Sequence, residues 1–220
     1  GSPEVGWKMK SDAGKKKVLL ELGGNAGVVV ATSKNLENTV KKCVLGSFAY
    51  SGQVCIHTQR IFVLTEFMDE FIEMFLAQTA QLKSGNPMLS DTDFADKIDA
   101  SNAIRVENWI NDAVAGGAKL LAGGKRVNNF VEPTVLTATR EHMNVCCEEV
   151  FGPVVVVEAT HTFEDAVAKI NRSKFGFQAG IFTDSISHMN YAFNHLKVGG
   201  VIINDVPTFR VDHMHYGGIK

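Results

Sequence analysis

Apolar residues recur along this chain at two spacings. Short apolar, β-rich runs occur at Val18–Leu22, Arg60–Thr65, Lys119–Ala122, Val131–Leu136, Val154–Val157, Gln178–Thr183 and Val201–Ile203, and each reads as a strand. Between them lie stripes with helical spacing. Leu36, Val40, Cys43, Val44 and Phe48 form one, with Ser33 as its expected N-cap. Phe67, Phe71 and Phe75 begin another, which is expected to reach Leu82 and stop near Gly85-Asn86-Pro87. Val106, Trp109, Ile110 and Ala113 mark a third, closed by Gly116-Gly117. Phe163, Ala166, Val167 and Ile170 mark a fourth, and Ile186, Met189, Ala192 and Leu196 a fifth, closed by Gly199-Gly200. Residues 86–93 and 204–220 are turn-rich and read as loops. Strands alternating with helices predict an α/β fold, a mostly parallel sheet with helices on both faces. No internal repeat or low-complexity segment interrupts the pattern.

Composition narrows the function. The 220 residues are 45% hydrophobic and 21% charged, with a formal net charge of -2. That balance gives no electrostatic reason to expect nucleic acid or an anionic membrane as partner. No apolar run approaches the roughly 20 residues that span a bilayer, and the start lacks a signal-peptide pattern. Four cysteines without a short-spaced framework suggest reduced thiols and a cytoplasmic setting.

Two stretches carry candidate chemistry. In Ser51-Gly52-Gln53-Val54-Cys55, a cysteine follows a Gly-Gln turn where a helical pattern hands over to a strand. A nucleophilic thiol must lose its proton, and such a turn can present it at the lip of a cleft. Cys43 lies on its helix's apolar stripe and reads as core. Cys146 and Cys147 are adjacent, a poor geometry for a shared metal or an ordinary disulfide. The second stretch is Leu20-Glu21-Leu22-Gly23-Gly24-Asn25. A carboxylate ending an apolar strand is expected to face a crevice, where α/β sheets place their sites; standing alone, it reads first as a solvated strand end. His213 and His215 would face the same way on an extended loop, but no third ligand is near in sequence, and no metal site is expected.

Together, Glu-Leu-Gly-Gly and Gly-Gln-x-Cys, with Cys55 34 positions after Glu21, resemble the aldehyde dehydrogenase superfamily in its acid-forming branch. The resemblance covers essentially the whole chain. Glu149 and Phe151 fit the family's Glu-x-Phe-Gly-Pro motif, which implies contacts to the nicotinamide ribose and ring. Gly1-Ser2 resembles the family's Gly-Ser at a helix start, placing Ser2 near the cofactor's pyrophosphate, although Gly-Ser is also a common cloning scar. Gly23 follows as a cofactor-side residue. Residues 204–209 and Tyr216-Gly217-Gly218 match a loop lining the substrate tunnel, with Phe209 and Arg210 in it. His215 departs from the proline expected there.

The resemblance implies that Cys55 attacks an aldehyde, that NAD or NADP accepts hydride, and that Glu21 activates the water that releases a carboxylic acid. Residues 1–24 are then the tail of a dinucleotide-binding domain and 25–220 the catalytic domain of a longer protein. On that basis the 220 residues alone are expected to fold but to be catalytically crippled, and the full protein to form a homo-oligomer, a dimer or tetramer. Arg210 could meet an anionic aldehyde or simply pair at the surface. Three alternatives remain: a coenzyme A-acylating enzyme of the same fold, a cofactor-free thiol hydrolase, and a non-enzymatic remnant.

Overall fold

The structure is a computed structural model describing residues 1–220. Nine strands and seven α-helices build one seven-stranded sheet and a small two-stranded one. Helix α1 (Pro3–Asp12) opens the chain. Strand β1 (Ala26–Val30), helix α2 (Leu36–Phe48), strand β2 (Thr58–Leu64) and helix α3 (Met68–Thr79) follow. Then come α4 (Ala100–Ala115), β3 (Lys119–Ala122), β4 (Arg126–Val127), β5 (Phe130–Val131), β6 (Thr134–Thr137), α5 (Asn144–Cys147) and β7 (Val154–Thr160). The chain continues through α6 (Phe163–Asn171), β8 (Gln178–Phe182), α7 (Ile186–His195) and β9 (Gly200–Ile203). The large sheet runs β3-β6-β7-β2-β1-β8-β9, with every pairing parallel except β3 with β6. No helix is long and apolar enough to cross a membrane.

Side-chain alternation along the strands explains why both faces need helices. On β1, Val28 and Val30 pack toward α2 and α3, while Val29 packs toward α6 and α7. On β7, Val155 and Val157 join the first cluster, and Val154 and Val156 meet α4 and α5 on the opposite side. All these valines are fully buried or nearly so. The expected α/β architecture is therefore the observed one.

Several local expectations need correction. Residues 18–22 form no strand, because no other strand of this chain lies beside them to complete a ladder. Leu20 and Leu22 instead lie over Gly6 of α1, and Leu19 is left 89% exposed. The strand in this region is the next segment, β1, whose uniform burial gives no alternation to read. Helix α2 begins at Asn35 in the left-handed region rather than at Ser33. Helix α3 ends at Thr79, short of the glycine and proline. The expected strand 131–136 is interrupted at Glu132-Pro133, which separates β5 from β6. Gly199-Gly200 closes no helix: α7 ends at His195 and Gly200 already belongs to β9.

Candidate active site

Between α2 and β2 the chain makes a turn that L-residues seldom adopt. Tyr50 (φ 53°), Ser51 (φ 56°) and Gly52 (φ 67°) are consecutively left-handed, at roughly 1 kcal/mol for each non-glycine residue. Local bonds hold the turn. Ser51 Oγ donates to the Ala95 carbonyl at 2.7 Å and accepts from the Ala95 N–H at 3.0 Å. Gln53 Oε1 accepts from the Ile98 N–H at 3.0 Å. A Cβ on Gly52 would overlap the Gly152 carbonyl, so only glycine lets the two loops dock. His57, buried just beyond, donates from Nε2 to the Ser47 carbonyl at 2.8 Å. Burial depresses its pKa to about 4, against the opposing effect of that hydrogen bond.

This turn leaves Cys55 half-buried, with Sγ 3.1 Å from the Tyr216 hydroxyl. Burial, and secondarily the contact with Cys55, push the Tyr216 pKa up, so the phenol stays protonated at neutral pH. Its ring leans on Phe177 at 4.7 Å between centroids, and the Arg210 guanidinium lies 4.4 Å from its centre. The Cys55 N–H makes no hydrogen bond within the chain.

The Glu21 segment packs directly on the cysteine turn. A Cβ on Gly24 would overlap the Cys55 carbonyl oxygen. Glu21 is half-buried, and its Oε1 is shielded from water without a donor. Burial raises its pKa, partly offset by the positive charges of the amino terminus and Arg210. The expectation that Glu21 ends a strand is overturned. Glu21, Cys55 and Glu149 all precede strands, so the cleft gathers at the amino ends of β1, β2 and β7 rather than at carboxyl ends.

Glu149 reaches the same place from the loop before β7. Its Oε1 accepts the Gly24 N–H at 2.8 Å, and a Cβ on Gly23 would come 2.5 Å from Oε2. Burial raises the Glu149 pKa, opposed by the Gly24 N–H. Two buried amides clamp this loop. Asn25 Nδ2 donates to the carbonyls of Cys146 and Glu148 at 3.0 and 2.8 Å. Gln59 Nε2 donates to those of Val145 and Glu148 at 2.9 and 2.8 Å, and its Oε1 accepts from the Val150 N–H at 3.0 Å. Phe151 is left-handed (φ 48°), and its carbonyl receives the Nζ of buried Lys97. Burial lowers the Lys97 pKa to about 8.

The remaining candidates lie farther out. Ser2 is exposed and caps α1, accepting from the Val5 N–H at 3.4 Å. Phe209 is 44% exposed, next to Arg210. Cys43 is fully buried in the core beside α2, and burial raises its pKa strongly. Cys146 bonds Thr139 Oγ1 at 3.1 Å, and all four cysteines are free. No group of three histidine, cysteine or acidic side chains is arranged to hold a metal ion. Sequence reasoning missed Asn25, Gln59 and Lys97. Gln59 lies between Thr58 and Arg60 in the polar start of β2, where no spacing singles it out.

Comparison with known proteins places this geometry in context. The family model described as "Aldehyde dehydrogenase family" matches residues 1–220. A 3-sulfolactaldehyde dehydrogenase of Priestia aryabhattai is 42% identical over 220 residues, which is 100% of this chain and 46% of that protein. The crystal structure of aldehyde dehydrogenase 21 from Physcomitrella patens, in complex with the reaction product succinate, superposes with TM-score 0.98 at 45% identity. The match covers 100% of this chain and 46% of that one. A glyceraldehyde-3-phosphate dehydrogenase from Methanocaldococcus jannaschii, complexed with NADP, gives TM-score 0.95 at 38% identity, covering 100% and 48%. The chain spans about half the length of the curated relatives it matches.

Proposed function

This chain belongs to the aldehyde dehydrogenase family, and we propose that the protein containing it oxidises an aldehyde to a carboxylic acid with NAD or NADP. One observation carries the reading: the Cys55 turn and the Glu21 segment are interlocked through Gly24, with a shielded carboxylate oxygen on one and a half-buried thiol on the other.

The chemistry follows from those groups. Cys55, as thiolate, attacks the aldehyde carbon, forming a C–S bond and a thiohemiacetal. Its own N–H, free of other acceptors, donates to the developing oxyanion. A nicotinamide dinucleotide, when bound, supplies the hydride acceptor for oxidation to the thioester. Glu21 then takes a proton from water as the oxygen attacks the thioester carbon, the C–S bond breaks, and the acid leaves. Burial raises the Glu21 pKa, which makes its carboxylate a stronger base than an ordinary one. A base so placed favours hydrolysis over transfer to coenzyme A.

The residues present suit such a cofactor. Glu149 Oε2 receives no hydrogen bond from the chain and can accept from a pair of ribose hydroxyls. Gly23 keeps that space clear of a side chain, and Phe151 offers an aromatic surface nearby. Ser2 and the first N–H groups of α1 form a helix start suited to a pyrophosphate.

Arg210 favours an aldehyde carrying a second, anionic group. Its charge reaches Glu21 and Tyr216, and it makes only a 3.9 Å ion pair with fully exposed Asp212. Sulfolactaldehyde and succinate, named for two relatives, each carry such an anion. Four free cysteines suit a reducing cytoplasm, and the family resemblance is the support for a homo-oligomer. The test is aldehyde-dependent reduction of NAD or NADP by the full-length protein, without coenzyme A, and its loss in Cys55→Ala. Activity surviving that substitution, or an absolute requirement for coenzyme A, overturns the reading.

A further inference from the structure

Glu148 and Glu149 are consecutive, yet they face different spaces. Glu149 turns toward Gly24 and the cysteine turn, while Glu148 is gripped by Lys174 at 2.6 and 2.7 Å. On the Glu148 side lies an open cavity of about 670 Å³, between α6, the loop after β6 and the start of β2. That volume suits a metabolite-sized ligand, and neither Cys55 nor Glu21 lines it.

Its floor contains an unusual charge. Arg60 is only 7% exposed, and its guanidinium meets no carboxylate. Nη1 and Nη2 donate to the carbonyls of Lys169 and Asn25 at 3.1 and 3.2 Å, and Nε–H has no acceptor at all. A buried cation without a counter-ion is costly. The cost falls if an anion occupies the adjoining space.

The walls agree in sign. Basic lining side chains outnumber acidic ones five to three. Each acid is already engaged: Glu148 by Lys174, Glu141 by Arg172 at 3.1 Å, and Glu158 by the Thr139 N–H and hydroxyl at 2.7 and 2.8 Å. Lys169 is taken by Asp165 at 2.8 Å. Arg140, on the rim, makes no ion pair. Positive charge thus remains unmatched at the floor and at the mouth. It comes from different elements, which suits the tetrahedral set of oxygens on a phosphate better than a planar carboxylate.

We infer that this cavity is a second ligand site, separate from the Cys55 cleft, for a small phosphorylated molecule whose phosphate meets Arg60 and Arg140. Cys147 lines the same space and is half-buried, so it reports on occupancy independently of enzyme activity.

The experiment is site-resolved alkylation of the full-length protein, with inorganic pyrophosphate as the probe and potassium chloride at matched ionic strength as the control. Pyrophosphate should slow alkylation of Cys147 severalfold and leave Cys55 unchanged, while chloride protects neither. Arg60→Met should abolish the protection. Because that change touches a buried residue, Arg140→Gln at the exposed rim provides the second arm. It should raise the half-protecting concentration about tenfold, as loss of one charge-assisted hydrogen bond requires. Equal protection by chloride, or an unchanged half-point in Arg140→Gln, overturns the proposal. So does a carboxylate from elsewhere in the full protein or a neighbouring subunit seated on Arg60 in a crystal structure.

Discussion

The thiol of Cys55 stands 3.1 Å from the hydroxyl of Tyr216, 161 residues further along the chain. A protonated phenol at that distance can donate to a thiolate. A hydrogen bond to a charged group contributes about 1.5–3 kcal/mol. Tyr216→Phe should therefore slow alkylation of Cys55 at pH 7 by roughly tenfold or more, leaving Cys43, Cys146 and Cys147 unchanged. Mass-spectrometric mapping of the four sites checks this; an unaltered Cys55 rate would leave Tyr216 a packing residue.

Glu21→Gln should separate the two halves of the reaction. With the base gone, the adduct on Cys55 accumulates and its release slows by roughly 10²–10⁴-fold. In the parent protein, activity should fall on the acid side at a pH above the ordinary carboxylate range, because burial raises the Glu21 pKa. Intact-mass detection of the trapped thioester, together with the pH profile, reads both effects.

Arg210→Gln should distinguish substrates. The value of kcat/KM for an aldehyde bearing a carboxylate or sulfonate should drop by about tenfold or more, with a neutral aldehyde of similar size little changed. Equal losses for both would place Arg210 in a general structural role on the Tyr216 ring.

His57 makes stability depend on pH. Its folded pKa of about 4 lies below the ordinary 6.5, so between those values the unfolded chain binds the proton more readily. Stability should fall as pH drops through that window, by roughly 2 kcal/mol from pH 7 to pH 5. His57→Gln keeps a donor for the Ser47 carbonyl and removes the titration. Denaturant unfolding of both proteins at the two pH values measures the difference.

Gln59→Leu tests the clamp on the 145–150 loop. It leaves the Val145 carbonyl and the Val150 N–H without their amide partner, while the Glu148 carbonyl keeps Asn25, at about 1–3 kcal/mol for each group left unsatisfied. Unfolding midpoints should fall accordingly. Cofactor affinity should weaken with them, because the clamp fixes the backbone on which Glu149 stands.

Periodicity placed most elements because helical stripes and strand runs are local. The stripe from Leu36 to Phe48 and the run Val154–Val157 both lie where their spacing put them. Val18–Leu22 failed for a physical reason: an apolar run becomes a strand only if another strand offers its N–H and C=O groups. Ala26–Val30 became the strand instead, placed between β2 and β8.

The sequence by itself determined the α/β class, the lone cysteine in a glycine turn, and a carboxylate 34 residues before it. It also marked Glu149 and Phe151. The class, the cysteine turn and the carboxylate depend on residue type and short-range spacing, whereas Glu149 and Phe151 are marked only by the resemblance to the family's motif. Only the tertiary structure decided that the cleft forms at the amino ends of β1, β2 and β7, and that Tyr216 meets the thiol. It likewise decided that Asn25 and Gln59 fix the Glu149 loop, and that Arg60 is buried without a counter-ion. These are contacts across tens to more than a hundred residues. They depend on how strands order themselves in the sheet, and no local pattern encodes that order.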